Sequence, residues 1–408
     1  MITILSVTPD MLVSGFFYLA SGLLIKIKLD KARWFTFLIL GIVLAFGYFS
    51  KTVMFPIAFI FICTAIFAIP KKINLPQVLI SLITFLLLIS PYVYELSRTK
   101  GYFTFGEVWK LNYEWDADRS FCESWKPGFP GCGKLIHPPR IIFHKPTVFE
   151  YSSPFMVTYP LHYDPSYWCQ GDTEPYFDFR SQVKALVRSI REFYLLFYMQ
   201  GIVVIVSLCF FFISRRGIKS FKDIREQWLI FIPAVLSMLM YSFVHFEPRY
   251  IGAFMIIFWL GLFSALKLPD NKEVKRITSC FIGVLSALLI ITSIFSEGVI
   301  TMGPHNTNHQ IAKFLKVHDI NKGDKIATIF ERYQDIYWAR LAKVNIVAEI
   351  PEEEINNFWN SNDSIKLQVL KTFKSIGVKA VIAKIPAYDL LRSNWIKIED
   401  SEYYLYVL

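Results

Sequence analysis

The chain has 408 residues, of which 54% are hydrophobic, with a mean hydropathy of +0.40 and a formal net charge of +10. So large an apolar share excludes an ordinary soluble globular protein of this length. The positive charge sits in short links beside apolar runs, which argues against nucleic acid as a partner and orients those runs in a membrane instead.

The chain opens on Ile2-Thr3-Ile4-Leu5-Ser6-Val7, with no basic start and no cleavage motif. This looks like the tail of an earlier span, and predicts that further spans precede Met1. Eight spans are predicted, near 10–27, 34–49, 52–69, 77–95, 194–213, 228–245, 250–267 and 276–295. Basic residues cluster after the first, third, fifth and seventh: Lys26, Lys28, Lys31 and Arg33; Lys71 and Lys72; Arg215, Arg216, Lys219, Lys222 and Arg225; Lys267, Lys272, Lys275 and Arg276. One consistent side for all four clusters makes that side cytoplasmic.

The second and third spans share one apolar stretch, 34–69, broken at Ser50-Lys51. One helix of that length would be about 54 Å long, against roughly 30 Å of hydrocarbon. The stretch must therefore fold back. Lys51 buried at mid-bilayer would cost roughly 2.5–3.5 kcal/mol, so it is placed at an outer turn.

Two long polar segments fall on the outer side. Residues 96–193 are rich in aromatics, Pro and Gly, as in Gly101-Tyr102-Phe103-Thr104-Phe105-Gly106, and read as irregular loops that cap the bundle or bind a ligand. Residues 182–193 return to a helical pattern leading into the fifth span. Residues 296–408 read as an α/β domain. Its predicted strands are 324–330, 344–349, 378–383 and 403–408. Its predicted helices are marked by Ile311, Phe314 and Leu315, by 333–341, and by Ile365, Val369, Phe373 and Ile376, the last stopped by Gly377. That alternation suggests a largely parallel sheet.

The predicted organisation is thus a mainly α-helical polytopic membrane protein with a C-terminal extracytoplasmic α/β domain. It divides into spans 1–95, an aromatic-rich region 96–193, spans 194–295 and the domain 296–408, with localisation to the cell (inner) membrane. Cys63, Cys209 and Cys280 lie in apolar runs and read as packing residues. One disulfide is open to Cys122, Cys132 and Cys169, with Cys122 and Cys132 closing the shortest loop. His137, His144 and His162 accompany Asp116, Asp118 and Asp164 in the first outer segment, without HxH or HExxH spacing.

Three polar clusters fall at predicted outer ends of spans. Thr8-Pro9-Asp10 opens the first, where helix capping is the simpler role. Lys51 ends the second, where an interfacial lysine that snorkels is the simpler role. His245-Phe246-Glu247-Pro248-Arg249-Tyr250 joins the sixth and seventh, where a Glu247–Arg249 pair is the simpler role. Taken together they suggest more. Lys51 and Arg249 could grip a phosphate at headgroup depth, supported by His245, Glu247 and Tyr250. Asp10 could bind a divalent metal or polarise an acceptor hydroxyl. A transporter or lipid flippase usually shows internal repeats and ionisable residues within spans, and neither is evident. A non-catalytic, membrane-anchored protein that binds a glycan or a partner through aromatic stacking is the other reading.

Several of these segments resemble the GT-C glycosyltransferases, which include the protein O-mannosyltransferases and aminoarabinose transferases. They are Thr8-Pro9-Asp10-Met11-Leu12 ahead of a span, Gly41 to Lys51 followed by Phe55-Pro56, Phe103-Thr104-Phe105-Gly106 with Leu111-Asn112-Tyr113, Glu247-Pro248-Arg249-Tyr250, and Tyr337 to Ala342. The resemblance implies transfer of a sugar from a polyprenyl-phosphate donor to an extracytoplasmic glycan, lipid or protein acceptor. It implies that Asp10 is the acidic residue at the start of a middle span, Lys51 the lysine between two short spans, and Arg249 a donor-phosphate ligand. It also implies that the principal catalytic Asp, the general base, belongs to a loop upstream of Met1.

Overall fold

A computed structural model describes residues 9–29, 33–69, 75–106, 108–113, 134–135, 139–151, 169–170, 177–201, 203–205, 225–265, 271–276, 278–280, 282–283, 286–287, 291, 305–329, 337–385, 394–399 and 401–408. The described chain is mainly helical. It divides into two compact units, Met1–Phe121 with Glu174–Phe281, and Cys122–Thr173 with Ile282–Leu408.

The first unit holds α1 (Asp10–Leu29), α2 (Trp34–Ser50), α3 (Met54–Ile66), α4 (Leu75–Lys100), the short α5 (Val108–Tyr113), α6 (Phe179–Met199), α7 (Trp228–Val244) and α8 (Pro248–Ala265). Three of them, α1, α4 and α8, are long and apolar enough to cross a membrane, while α2, α3 and α7 are shorter apolar helices. α1 carries Asp10 in its first turn and Lys26 and Lys28 in its last, each sign complementing the helix dipole. At its centre Phe17 is fully buried and meets Phe61 of α3 and Phe254 of α8 edge-on, with centroids 5.0 and 4.7 Å away.

The fold-back at Lys51 is present. Lys51 leaves α2 in an extended conformation (φ −160°, ψ 133°), and α3 starts three residues later with Pro56 in its first turn, where no amide is needed. α2 and α4 then lie close together. A Cβ at Gly41 would stand 2.5 Å from the Ser81 carbonyl oxygen, and the Ser81 hydroxyl donates to the Phe37 carbonyl at 2.6 Å.

The predicted third span, 52–69, is trimmed to Met54–Ile66, because Thr52 and Val53 form the turn and Phe67–Ile69 leave the helix. The predicted fifth span does not start a helix at 194. Residues 194–199 complete α6, whose end is capped at Gln200 by its amide donating back to Leu196 O, Phe197 O and Tyr198 O. Residues 206–213 lie outside the described residues, as does much of 276–295. Cys63 and Cys280 are free and exposed rather than packed inside; Cys209 is outside the described residues.

The second unit is a seven-stranded sheet ordered β2-β3-β6-β5-β7-β9-β8, with a separate two-stranded pair β1 (Lys134–Leu135) and β4 (Cys169–Gln170). The strands are β2 (Arg140–His144), β3 (Thr147–Glu150), β5 (Lys325–Ile329), β6 (Asn345–Ile350), β7 (Val378–Lys384), β8 (Ile396–Lys397) and β9 (Tyr403–Val407). The helices are α9 (His305–Val317), α10 (Tyr337–Ala342), α11 (Glu352–Trp359) and α12 (Asp363–Ser375). Alternating strand residues feed two cores. Ile326, Ile346, Ala380, Ile382 and Leu405 pack with α9 and α10, while Ala327, Ile329, Ala348, Val381 and Ala383 pack with α11 and α12. Gly377, at φ +85°, makes the left-handed turn that stops α12 ahead of β7.

Two expectations change here. The sheet is mixed rather than largely parallel: only β6, β5 and β7 run parallel, and the flanking strands pair antiparallel. Residues 140–150 are not irregular loop. They form the β2–β3 hairpin, which joins β6 by pairing Phe149 with Glu349 and Glu150 with Ala348. Within the hairpin Arg140 pairs with Glu150.

Candidate functional site

Asp10, Lys51 and Tyr250 meet at one end of the first unit. The α2–α3 turn, the first turn of α1 and the α7–α8 junction bring them there. Lys51 Nζ lies 2.8 Å from Asp10 Oδ1, with the side chains 22% and 7% exposed. The same ammonium sits 3.6 Å from the Tyr250 ring centroid, a cation–π contact. The opposite end of α1 carries Lys28, whose Nζ donates to the Glu226 carbonyl ahead of α7 at 3.5 Å.

Arg249 stands beside this pair. Its Nη2 donates to the Tyr250 hydroxyl at 3.1 Å, and its guanidinium carbon lies 4.9 Å from the Tyr250 ring centroid. The expected Glu247–Arg249 pair is absent among the described residues. Glu247 approaches His245 instead, Oε1 to Nε2 at 3.8 Å, an ion pair only when the imidazole is protonated. Arg249 thus has no carboxylate partner among the described residues, and its buried Nε has no hydrogen-bond acceptor. Such an unmet donor is costly unless something fills it. Asp10 pairs with Lys51, and Glu247 is near enough to act electrostatically on both Lys51 and Arg249, so the cluster holds two adjacent cations with two carboxylates around them.

Beside the cluster is a cavity of about 470 Å³ within the first unit. Lys51 and Tyr250 form part of its wall, with Tyr241, Met240, Val244 and His245 from the α7 end and Phe105, Trp109 and Asn112 from the segment after α4. Asp10 and Arg249 do not line it. They stand behind Lys51 and Tyr250. The volume suits a small-molecule site, mostly apolar with a few convergent polar groups.

The segment Gly101–Gly106 closes one side. The Tyr48 hydroxyl donates to Phe105 O at 2.7 Å, and Phe105 stacks on Phe55 with centroids 4.3 Å apart. Gly106 is required by its φ of +125° and by the space it leaves, since a Cβ there would lie 2.5 Å from Thr52 Cγ2. Ser97 and Thr104 exchange hydrogen bonds across the loop at 3.0 and 3.1 Å.

The sequence reading missed Tyr241, Trp109 and Asn112 as site residues. Tyr241 lies one turn before the end of α7, which His245 follows, and Trp109 lies three residues before Asn112 on one face of α5. That spacing was the available signal. Asp10 keeps the simpler role of an acid in the first turn of α1 and adds an ion pair with Lys51. A metal role for Asp10 is not supported by its surroundings. Two cations, Lys51 and Arg249, act on it, and no group of three or more His, Cys, Asp or Glu that could hold a metal exists among the described residues. His144 ends β2 and is exposed. Cys122, Cys132, His137, His162, Asp116, Asp118 and Asp164 lie outside the described residues, as does the side chain of Cys169.

No protein family, characterised protein or solved structure matches this chain.

Proposed function

We propose that this chain acts as a GT-C-like glycosyltransferase that moves a sugar from a polyprenyl-phosphate donor to an extracytoplasmic glycan, lipid or protein acceptor. The observation that carries this reading is the pair of adjacent cations, Lys51 and Arg249, beside a cavity. Lys51 is held by Asp10 at 2.8 Å on the wall of an aromatic cavity, and Arg249 stands next to it with no carboxylate partner among the described residues. A phosphate is the anion such a pair fits.

In this reading Arg249 and the remaining Lys51 protons bind the donor phosphate. Asp10 fixes the Lys51 ammonium in place rather than binding metal. The bond from the sugar's anomeric carbon to the phosphate oxygen breaks, and the acceptor oxygen bonds to that carbon. Arg249 and Lys51 stabilise the phosphate that departs on its lipid. The hydroxyl proton goes to a general base, which the family resemblance places in an extracytoplasmic loop.

Binding tests this without requiring turnover. In nanodiscs, affinity for a short-chain polyprenyl phosphate is expected to fall about tenfold in Arg249→Ala and in Lys51→Ala, a loss of about 1.4 kcal/mol each. Arg249→Lys should retain part of the affinity. Variants that bind as tightly as the parent would remove the phosphate grip.

The aromatic wall of Phe105, Trp109, Tyr241 and Tyr250 favours a second reading, a membrane-anchored glycan-binding protein without catalysis. Glycan binding indifferent to polyprenyl phosphate and to both substitutions would support it instead.

A further inference from the structure

α6 has three differently made faces. One is pinned to the outer end of α7: Ser189 Oγ donates to Ser242 O at 3.0 Å, Gln182 Nε2 donates to Phe243 O at 3.0 Å, and Ala185 and Ser189 are buried. Phe193 meets Phe246 edge-on at 4.6 Å, and Phe197 meets Trp259 at 5.9 Å. The second face is apolar and bare. Phe179, Val183, Val187, Ile190, Tyr194 and Tyr198 are all exposed, the last by 75%. At about 100° per residue these six fall within about 100° of arc. The third face adjoins that stripe and is basic, with Arg180, Lys184 and Arg191 exposed.

A hydrocarbon-facing helix would not carry these charges, because each is costly inside the bilayer. A water-facing helix would not carry that apolar stripe. The arrangement of apolar stripe, basic flank and terminal tyrosines belongs to a helix lying in the membrane–water interface. We propose that α6 is an interfacial helix seated on an anionic phospholipid surface, its stripe in the headgroup–acyl boundary and Arg180, Lys184 and Arg191 against lipid phosphates. Charge complementarity selects anionic lipid over a second protein as the occupant. The His245 wall of the cavity follows directly from the α7 end that α6 grips, so the helix would set the height of the bilayer at the site. The inference does not depend on sugar transfer.

Single nitroxide labels in the intact protein, in nanodiscs with and without phosphatidylglycerol, test it. Labels at Val183, Val187 and Tyr194 should collide with oxygen and be shielded from a water-soluble nickel complex, about threefold or more relative to a label at Lys184. Shielding should deepen with phosphatidylglycerol, and R180Q/K184Q/R191Q should abolish that deepening. Stripe labels as open to nickel as the Lys184 label would overturn the proposal. So would labels shielded from both reagents, which would mean a protein covers the stripe. Shielding equal in neutral and anionic discs would also overturn it.

Discussion

Lys51 has three ammonium protons, and Asp10 takes one at 2.8 Å. In the proposed phosphate grip the remaining donors would matter, because a lysine already anchored loses little freedom on binding an anion. In the second unit the same chemistry acts on stability. Burial raises the Asp324 carboxyl, but Lys379 at 2.7 Å and the Asn321 amide outweigh it and hold the group below the usual carboxylate range. A depressed acid stabilises the fold above its unfolded-state value, and that contribution is lost as pH falls through its folded-state value. Protection of the β5 and β7 amides, corrected for intrinsic exchange, should therefore weaken below about pH 4, and Lys379→Ala should flatten that dependence. Unchanged acid behaviour in Lys379→Ala would contradict the assignment. The sequence displayed Asp324 and Lys379 but not their meeting. Fifty-five positions separate them, and only parallel pairing of β5 with β7 brings their strand starts together.

α2 is short and apolar, and its stability depends on what it packs against. Gly41 allows the close approach to α4, where a Cβ would meet both Ser81 O at 2.5 Å and Thr84 Cβ at 2.8 Å. Backbone on one side and a β-branched residue on the other cannot yield cheaply. Gly41→Leu is expected to cost about 3 kcal/mol, seen as a lower melting temperature in detergent, while Gly15→Ala, facing open space, should be neutral or mildly stabilising. Equal melting of the two variants would show that α2 and α4 do not pack this tightly. The break at Ser50-Lys51 was legible because charge and hydrocarbon thickness jointly demand a turn. The end of α6 was not, because apolar composition continues past Gln200 and hides where the helix stops.

Both units join parts that lie far apart in sequence, as Phe17 with Phe254 in the first. The C-terminal sheet recruits its hairpin from 140–150, nearly two hundred residues before β6. Val148 is fully buried among Ala348, Phe358 and Val369, and the Tyr151 amide donates to Val347 O at 2.9 Å. Val148→Asp should therefore destabilise the C-terminal sheet by about 3 kcal/mol or more, through an unpaired carboxylate in an apolar core. The readout is faster hydrogen exchange in β5, β6 and β7. If only the hairpin itself exchanges faster, the two segments do not form one cooperative sheet.

By itself the sequence missed α11 and β8 but determined most of the periodic elements: the apolar helices α1, α2, α4, α7 and α8, the turn at Lys51, and β5, β6, β7, β9, α9 and α12. Local period, chain length and the cost of a charge in hydrocarbon fix those without long-range information. Tertiary structure decided the rest. It set Lys51 on Asp10, left the buried Nε of Arg249 without an acceptor among the described residues, carried residues 140–150 into a distant sheet and bared one stripe of α6. Each of these depends on which residues meet across the fold, and a partner's distance along the chain carries no energy that the sequence pattern displays.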